Sequence, residues 1–391
     1  MKFKTYTMED ALEVIIDYRG KTPKKSDSGI PTLSAKSVKN NHIDYSLCYY
    51  ISADEYKHFM VRGFPKIGDV LLTTEAPMGM VARLDRDNVG IAQRLLTLRG
   101  KKDVLDNEYL LYFLQSSIGQ SLLKVRETGT TVTGIKQAEF RKIQINIPEI
   151  SVQKKIGGIL RSLDKKIEIN SKINENLYEL TKVYYTSLFK YAECEMTTIG
   201  NYAKRIYSGG TPKTSNAEYW NGSFGWFSSG ETRNRFVIST EKTITQNGIN
   251  NSSTKLASKY DIVMASAGQG FTRGQTSMLL IDTYVNQSVI VIHADRNTLP
   301  YLFWNLSNRY EELRAISDSS SIRGSLTTKM LAGFEIQHVS NEALLAFADF
   351  AWPIISKIEN NLLENEQLTT LRDSLLPKLM SGELDVSSLD F

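Results

Sequence analysis

The chain has 391 residues, 41% of them hydrophobic and 23% charged, an ordinary globular composition with room for two or three domains. No run of about 18 apolar residues occurs, and Glu9 and Asp10 stand where a secretory leader needs an apolar stretch, so neither membrane insertion nor export is expected and the chain is placed in the cytoplasm. The two cysteines, Cys48 and Cys194, lack metal-type spacing, fit a reducing compartment and are expected as buried thiols. A net charge of +4 is too small by itself to announce a nucleic-acid binder.

Taken in order, the chain repeats itself with a period of about 190 residues. Gly20-Lys21-Thr22-Pro23 is answered by Gly209-Gly210-Thr211-Pro212. Asp69-Val70-Leu71-Leu72-Thr73-Thr74 is answered by Asp261-Ile262-Val263-Met264-Ala265-Ser266, each an apolar strand opened by Asp and closed by small residues. Gln93 precedes one further strand and Gln287 its counterpart. Residues 109–114 and 301–306 read as matching short amphipathic helices. A polar loop follows in each copy, 128–134 and 318–324, and then a strand, 143–147 or 334–339, leads into a long helix. The copies differ most where loops are expected: residues 24–30 follow the first Thr-Pro turn, whereas the second copy inserts a longer aromatic, Asn/Gly-rich segment, 215–226. A shared framework with divergent loops suggests one binding role aimed at two targets.

The long helices carry matching seams. In 151–190, Ile156, Leu160, Leu163, Ile167, Asn170, Asn174, Leu177, Thr181, Tyr184 and Leu188 recur at alternating steps of four and three. Near the C-terminus the ladder returns as Phe347, Ala351, Ile354, Ile358, Asn361, Asn365, Leu368, Arg372, Leu375 and Leu379. The first segment carries +4 and the second, 341–391, carries −6, which favours pairing with each other. The expected fold is α+β: two mixed α/β units, 1–150 and 191–340, separated by a long antiparallel two-helix coiled coil of 151–190 and 341–391, a pseudo-twofold dumbbell. The four asparagines are read as register-setting polar layers. Pro353 and Pro377 are expected to mark ends or kinks, leaving the best seam between Ile354 and Leu375.

Catalytic patterns are missing. His42, His58, His293 and His338 have no neighbours at metal or triad spacing, and no phosphate-binding Gly-x-x-x-x-Gly-Lys-Ser/Thr loop exists. The glycines of 268–274 are wrongly spaced for a dinucleotide loop. Glu55-Tyr56-Lys57 offers the Glu-x-Lys half of a metal-dependent nuclease site, which keeps a stand-alone nuclease as an alternative. No Asn-Pro-Pro-aromatic or Asp-Pro-Pro-aromatic tetrapeptide is present, so the chain does not read as an enzyme. What remains is recognition. Basic and amide residues collect in the expected loops: Lys21, Lys24, Lys25, Lys36, Lys39, Asn40, Asn41, Arg94 and Lys136 in the first unit, and Lys213, Arg233, Asn234, Arg235, Gln269, Arg273, Gln287 and Arg323 in the second. Arg with Asn or Gln reads guanine and adenine edges, while Lys, Ser and Thr position phosphates. Helices of this length place the units on the order of 50 Å apart at 1.5 Å per residue, about 15 base pairs, so each could read a few base pairs with an unread gap between them.

The segment Ile147-Pro148-Glu149-Ile150-Ser151-Val152-Gln153-Lys154-Lys155-Ile156 with its continuation resembles the central region of the specificity subunits of Type I restriction-modification systems. Leu371-Arg372-Asp373-Ser374-Leu375-Leu376-Pro377-Lys378-Leu379-Met380-Ser381-Gly382-Glu383-Leu384 resembles their distal region. The resemblance implies two target-recognition domains and a non-catalytic chain that reads a bipartite asymmetric sequence in double-stranded DNA. It also implies partners: two modification subunits that bring S-adenosylmethionine and methylate adenine, and two restriction subunits that cleave with ATP and Mg. Phe334 to Ala343 departs from the proline-led, Gln-containing turn at 147–153, which puts in doubt whether both helix starts meet a modification subunit alike. A specificity-like subunit of another phage-defence assembly is the alternative within the binding class.

Overall fold

In the computed structural model, which describes residues 1–129, 133–189, 195–268, 270–319 and 324–389, the chain divides into two compact units, residues 1–168 with 366–391 and residues 169–365. Two long helices are shared between them: the central helix, Ile150–Phe189, and the distal helix, Asn341–Ser381, each give one part to each unit.

The first unit is built on a four-stranded antiparallel sheet in the order Leu12–Asp17, Leu95–Gly100, Val70–Thr73, Val81–Arg83. Its interior strand Val70–Thr73 is buried along its whole length because both faces are covered. Val70, Leu72, Leu96 and Leu98 point into a core shared with the helix Asn107–Gln115 and with Ile156 and Leu160 of the central helix. Leu71, Leu95 and Ile16 point the other way, onto Leu33, Ile91 and Phe59. A smaller sheet, Tyr49–Ile51, Ile30–Leu33 and Gly90–Ile91, supplies part of that second layer. The strands Phe3–Thr7 and Gln144–Pro148 pair antiparallel just before the central helix begins.

The second unit repeats the plan. Its five-stranded sheet runs Ala203–Ser208, Val289–Ala294, Ile262–Ala265, Thr276–Leu279, Phe236–Val237. Ile262, Met264, Ile290 and Ile292 face one core, and Val263, Val289 and Val291 face the other. Met196–Thr198 and Glu335–Gln337 form the matching strand pair ahead of the distal helix. The aspartate that opens each matched strand is buried and bonded to a basic side chain. Asp69 takes Arg99 Nε at 2.7 Å and Nη2 at 2.8 Å, whereas Asp261 faces His293 Nδ1 at 2.6 Å. Burial pushes the Asp261 carboxyl up, and the hydrogen bond from His293 opposes it.

Several expectations need correction. The helices at 109–114 and 301–306 are not amphipathic: every residue from Tyr109 to Leu114 and from Leu299 to Leu306 is buried. Each is covered by the sheet on one side and a long helix on the other, as the bonds from Tyr112 Oη to Asp164 (2.7 Å) and from Asn305 Nδ2 to Tyr185 (2.8 Å) show. Much of 215–226 is not loop. Trp220–Phe227 is a strand that pairs antiparallel with Lys242–Ile244 and parallel with Thr283–Val285, with an irregularity between Trp220 and Phe224 that absorbs its glycine. The distal helix runs unbroken through Pro353 and Pro377, both on exposed positions where each proline forfeits one backbone bond without ending the helix. Cys48 is half-buried, its Sγ 3.7 Å from Ser37 Oγ, and Cys194 lies outside the described residues.

Within each unit the long helices pair antiparallel. In the first, Arg372 Nη1 donates to Asp164 Oδ1 at 2.7 Å. In the second, Asn170 Nδ2 donates to Asn365 Oδ1 (2.9 Å) and Glu364 (2.8 Å), and Asn361 Nδ2 donates to Asn174 Oδ1 (2.7 Å). Asn170 and Asn361 are each 1% exposed, so these are buried polar layers with partners satisfied. Ile156, Leu160 and Ile358 are fully buried, and Leu163, Ile167, Asn174, Leu177, Ile354, Asn365, Leu368 and Leu375 are half-buried, as a two-stranded seam leaves them. Toward its C-terminus the central helix buries Tyr178, Tyr185 and Phe189 in place of Leu177, Tyr184 and Leu188. The face moves by one residue because 3.6 residues per turn drifts against a 3.5-residue pattern, and the aromatic residues are drawn into the second unit's core.

Candidate nucleic-acid interface

In the first unit, residues 74–80 join Val70–Thr73 to Val81–Arg83, and sequence-distant segments meet at this turn. The Thr74 N–H donates to the Arg94 carbonyl (3.0 Å), and the Ile135 N–H donates to the Thr74 carbonyl (3.0 Å). Glu75 receives Arg19 Nη2 at 2.6 Å and lies 3.4 Å from Arg94 Nε. Gly134 is bridged to Glu75, and a Cβ on it would stand 2.5 Å from the Thr74 carbonyl oxygen, so only glycine allows the approach. Arg94 adopts φ +71°, a conformation costing an arginine about 1–3 kcal/mol that the surrounding bonds must hold. The result is a cationic cluster around one carboxylate: Arg19 and Arg94 keep 42% and 50% of their side chains exposed, and exposed Lys136 follows Ile135 directly.

The other expected residues of this unit spread around that turn or away from it. The Ala92 N–H to Leu33 carbonyl bond (2.8 Å) sets exposed Lys36, three residues beyond Leu33, near the 93–94 turn. Lys39 is exposed. Asn40 Oδ1 accepts from the Val81 N–H (3.2 Å) and Asn41 Oδ1 from Gln115 Nε2 (2.5 Å), so these amides brace the far end of the 74–80 turn. Lys21 sits exposed in a turn closed by its N–H to the Tyr18 carbonyl. Lys24 and Lys25 attach elsewhere, the Lys24 N–H to Glu55 and the Lys25 ammonium 4.9 Å over the Tyr49 ring.

The second unit builds the same junction with different side chains. The Ser266 N–H donates to the Ser288 carbonyl and the Leu326 N–H to the Ser266 carbonyl, both at 2.8 Å. Thr211 Oγ1 donates to the Gln287 side-chain oxygen, and a Cβ on Gly209 would lie 1.9 Å from the Val285 carbonyl oxygen. Gln287 and Lys213 are exposed here. The turn between Ile262–Ala265 and Thr276–Leu279 is longer than its counterpart, and Phe271 within it is 86% exposed. Arg273 is turned inward at 8% exposure, paired with Asp318 and donating to the Gly324 carbonyl at 2.6 Å. It braces the loop. Gln269 and Arg323 lie outside the described residues.

Arg233, Asn234 and Arg235 stand apart from this junction. Arg235 donates to Glu175 of the central helix at 2.7 Å with its guanidinium 4.2 Å over the Tyr178 ring, which makes it a clamp on that helix. Arg233 keeps 52% of its side chain exposed, donates to the Gly230 carbonyl (2.7 Å) and pairs with Glu241. With Asn234 they line a cavity of about 720 Å³ that also takes in Asn174, Tyr178 and Thr276.

Position also bears on the Glu-x-Lys tripeptide and on the turn before the distal helix. Glu55 and Lys57 lie two apart on the helix Ala53–Phe59, a spacing that points them to different faces, and Glu55 caps the Lys24 N–H. They do not form a nuclease half-site. Among the described residues no group of three or more His, Cys, Asp or Glu side chains is arranged to hold a metal ion, and no helix is long and apolar enough to cross a membrane. Gln153 is fully buried, giving its amide to the Val104 and Pro148 carbonyls (2.8 Å each) and accepting from the Asp106 N–H (2.9 Å). Its counterpart in the repeat is Leu344, 4% exposed in the second core. The different turn before the distal helix therefore reflects an apolar solution to the same internal packing.

Sequence reading missed Arg19, Glu75 and Phe271. Arg19 abuts the repeated Gly-x-Thr-Pro turn, and Phe271 is an aromatic residue between two glycine-flanked steps of a loop, so both left a local signal; Glu75 became visible only through its two arginine partners.

The pattern of residues described as the Type I restriction modification DNA specificity domain matches 2–179 and again 193–369. Among relatives, the Type I restriction enzyme HindI specificity subunit of Haemophilus influenzae is 22% identical over 82% of this chain and 87% of its own length. The Type I restriction enzyme MjaIX specificity subunit of Methanocaldococcus jannaschii is 25% identical over 92% of this chain and 88% of its own. In fold, the chain resembles the S subunit of a Type-I restriction-modification system from M. genitalium, with a TM-score of 0.63 at 17% identity over 97% of this chain and 96% of that one.

Proposed function

Because the chain belongs to the Type I restriction-modification DNA specificity family, we propose that each unit presents its converging loops to duplex DNA and that the two units read the two parts of one bipartite, asymmetric target. The observation that carries this reading is the junction built twice: the backbone bonds of Thr74 to Arg94 and Ile135 recur as those of Ser266 to Ser288 and Leu326, while the exposed side chains differ, Arg19, Arg94 and Lys136 in one unit and Lys213, Phe271 and Gln287 in the other. Equal loops would read a palindrome; unequal loops read two different sequences. Each set is small, so each half-site binds weakly, and the tether makes the second contact effectively intramolecular. In this reading Arg94 and Gln287 contact bases, and the exposed lysines contact phosphate.

The chain reads and its partners act. Two modification subunits carry S-adenosylmethionine and methylate adenine within the bound target, and two restriction subunits use ATP and Mg to cleave DNA that lacks the mark. Co-expression with a cognate modification subunit, followed by methylation-sensitive sequencing, should return a two-part motif with adenine methylated in each part and an unspecified gap between them. A single contiguous motif would defeat the two-unit reading.

A further inference from the structure

We propose that Phe271 is an apolar wedge that enters a base step of the half-site read by the second unit, resting on the DNA reading above. A lone exposed phenylalanine ordinarily needs no explanation. This one occupies the turn at which the repeat-matched segments of its unit converge, and it is 86% exposed there. Nor is its loop loose. The Phe271 carbonyl accepts from Tyr310 Oη at 2.7 Å, and the Gly270 carbonyl accepts from Arg314 Nη1 at 2.7 Å. The Gln275 N–H closes onto Thr272 (2.8 Å) and the Gly274 N–H onto Ala265 (2.9 Å). Gly268 and Gly274 supply the φ values of +137° and +83° that the turn needs.

These four bonds hold residues 270–275, while the Phe271 ring itself is exposed. A large apolar side chain on a pre-ordered tip loses little freedom on binding, which is what a residue inserted between bases requires. The loop's own arginine does not compete for that role, because Arg273 is spent on Asp318 and the Gly324 carbonyl. Inserted phenylalanine, leucine, methionine and proline side chains unstack base steps and kink duplex DNA. In the first unit the matching turn is shorter and its Met78 is packed partly against the core. The wedge is thus confined to one half-site.

The test uses the full chain with its modification subunits and a duplex carrying the two-part motif found by methylation mapping. 2-Aminopurine is placed in turn at each position of each half. Beyond the target adenines, which the modification subunits flip out of the stack in both halves, wild-type complex should brighten the probe at one further step of the second unit's half and at none of the first. Phe271→Ala should abolish that signal and weaken binding between about five- and 100-fold, with an unchanged salt slope because no charge is removed. Phe271→Trp should retain both. Since the ring is exposed, thermal melting of Phe271→Ala should match wild type. Undiminished fluorescence and affinity in Phe271→Ala would overturn the wedge, as would weakened subunit assembly with DNA binding intact. Failure of the wild-type complex to bind the duplex would overturn the underlying DNA reading instead.

Discussion

Asp164 on the central helix is 5% exposed and holds two partners, Tyr112 Oη at 2.7 Å and Arg372 Nη1 of the distal helix at 2.7 Å. Arg372 keeps only 18% of its side chain exposed. Removing one member of such a buried pair strands the other, so Asp164→Ile should destabilise the first unit by about 3–5 kcal/mol. In urea that lowers the midpoint by about 1–2 M at the slopes usual for a domain of this size. The repeat supplies an internal control. At the three matching positions the second unit has Trp304, Ile355 and Thr181, all fully buried, with the Thr181 hydroxyl bonded to the Leu177 carbonyl of its own helix. The same geometric problem is thus solved there with apolar packing. Exchanging a buried ionic set for apolar residues of similar volume is often neutral or stabilising by about 1–4 kcal/mol, so Tyr112→Trp, Asp164→Ile and Arg372→Thr combined should recover the wild-type midpoint or exceed it. The Trp304 Nε1 has no hydrogen-bond partner and costs the second unit part of that gain. A triple variant as unstable as Asp164→Ile alone would refute the equivalence of the two solutions.

Replacing Arg94 with Ala should relax discrimination at one position of the first half-site by about 1–3 kcal/mol and leave the second half-site unchanged in a competition-binding assay; uniform weakening with a shallower salt slope would make Arg94 a phosphate contact. In a double-mutant cycle, Asn174→Ala and Asn361→Ala should couple by about 0.5–1.5 kcal/mol in urea unfolding, because their 2.7 Å bond is lost once. Additive effects would remove the polar layer from the account of register. Burial pushes the Tyr185 phenol up to about 12 from the ordinary 10.0, so the folded state holds a proton that the unfolded chain releases. That contribution is intact below pH 10 and is lost as pH rises toward 12. Tyr185→Phe should flatten the alkaline fall in stability while costing about 1 kcal/mol at neutral pH through the unpaired Asn305 amide; a steepened fall would contradict the sign.

The sequence by itself determined whatever depends on spacing along the chain. Strand runs such as Val70–Thr73 and Ile262–Ala265, the two long helices, the four seam asparagines and the repeat all follow from local periodicity and covalent order, which any folded arrangement of this chain has to respect. Gly209 was legible as part of a repeated turn, but the close approaches that Gly209 and Gly134 allow appeared only with the fold. Only the tertiary structure decided which charges are free. Arg94, Arg235 and Arg273 look alike in sequence, yet the first stays half exposed beside Glu75, the second clamps Glu175 and Tyr178, and the third is buried on Asp318. Their partners lie tens of residues away, at Glu75, Glu175 and Asp318, and a long flexible cationic side chain takes whichever carboxylate the fold brings near. The same holds for the buried helices 107–115 and 299–308, whose apolar faces all found cover only when sheet and long helix closed on them from both sides.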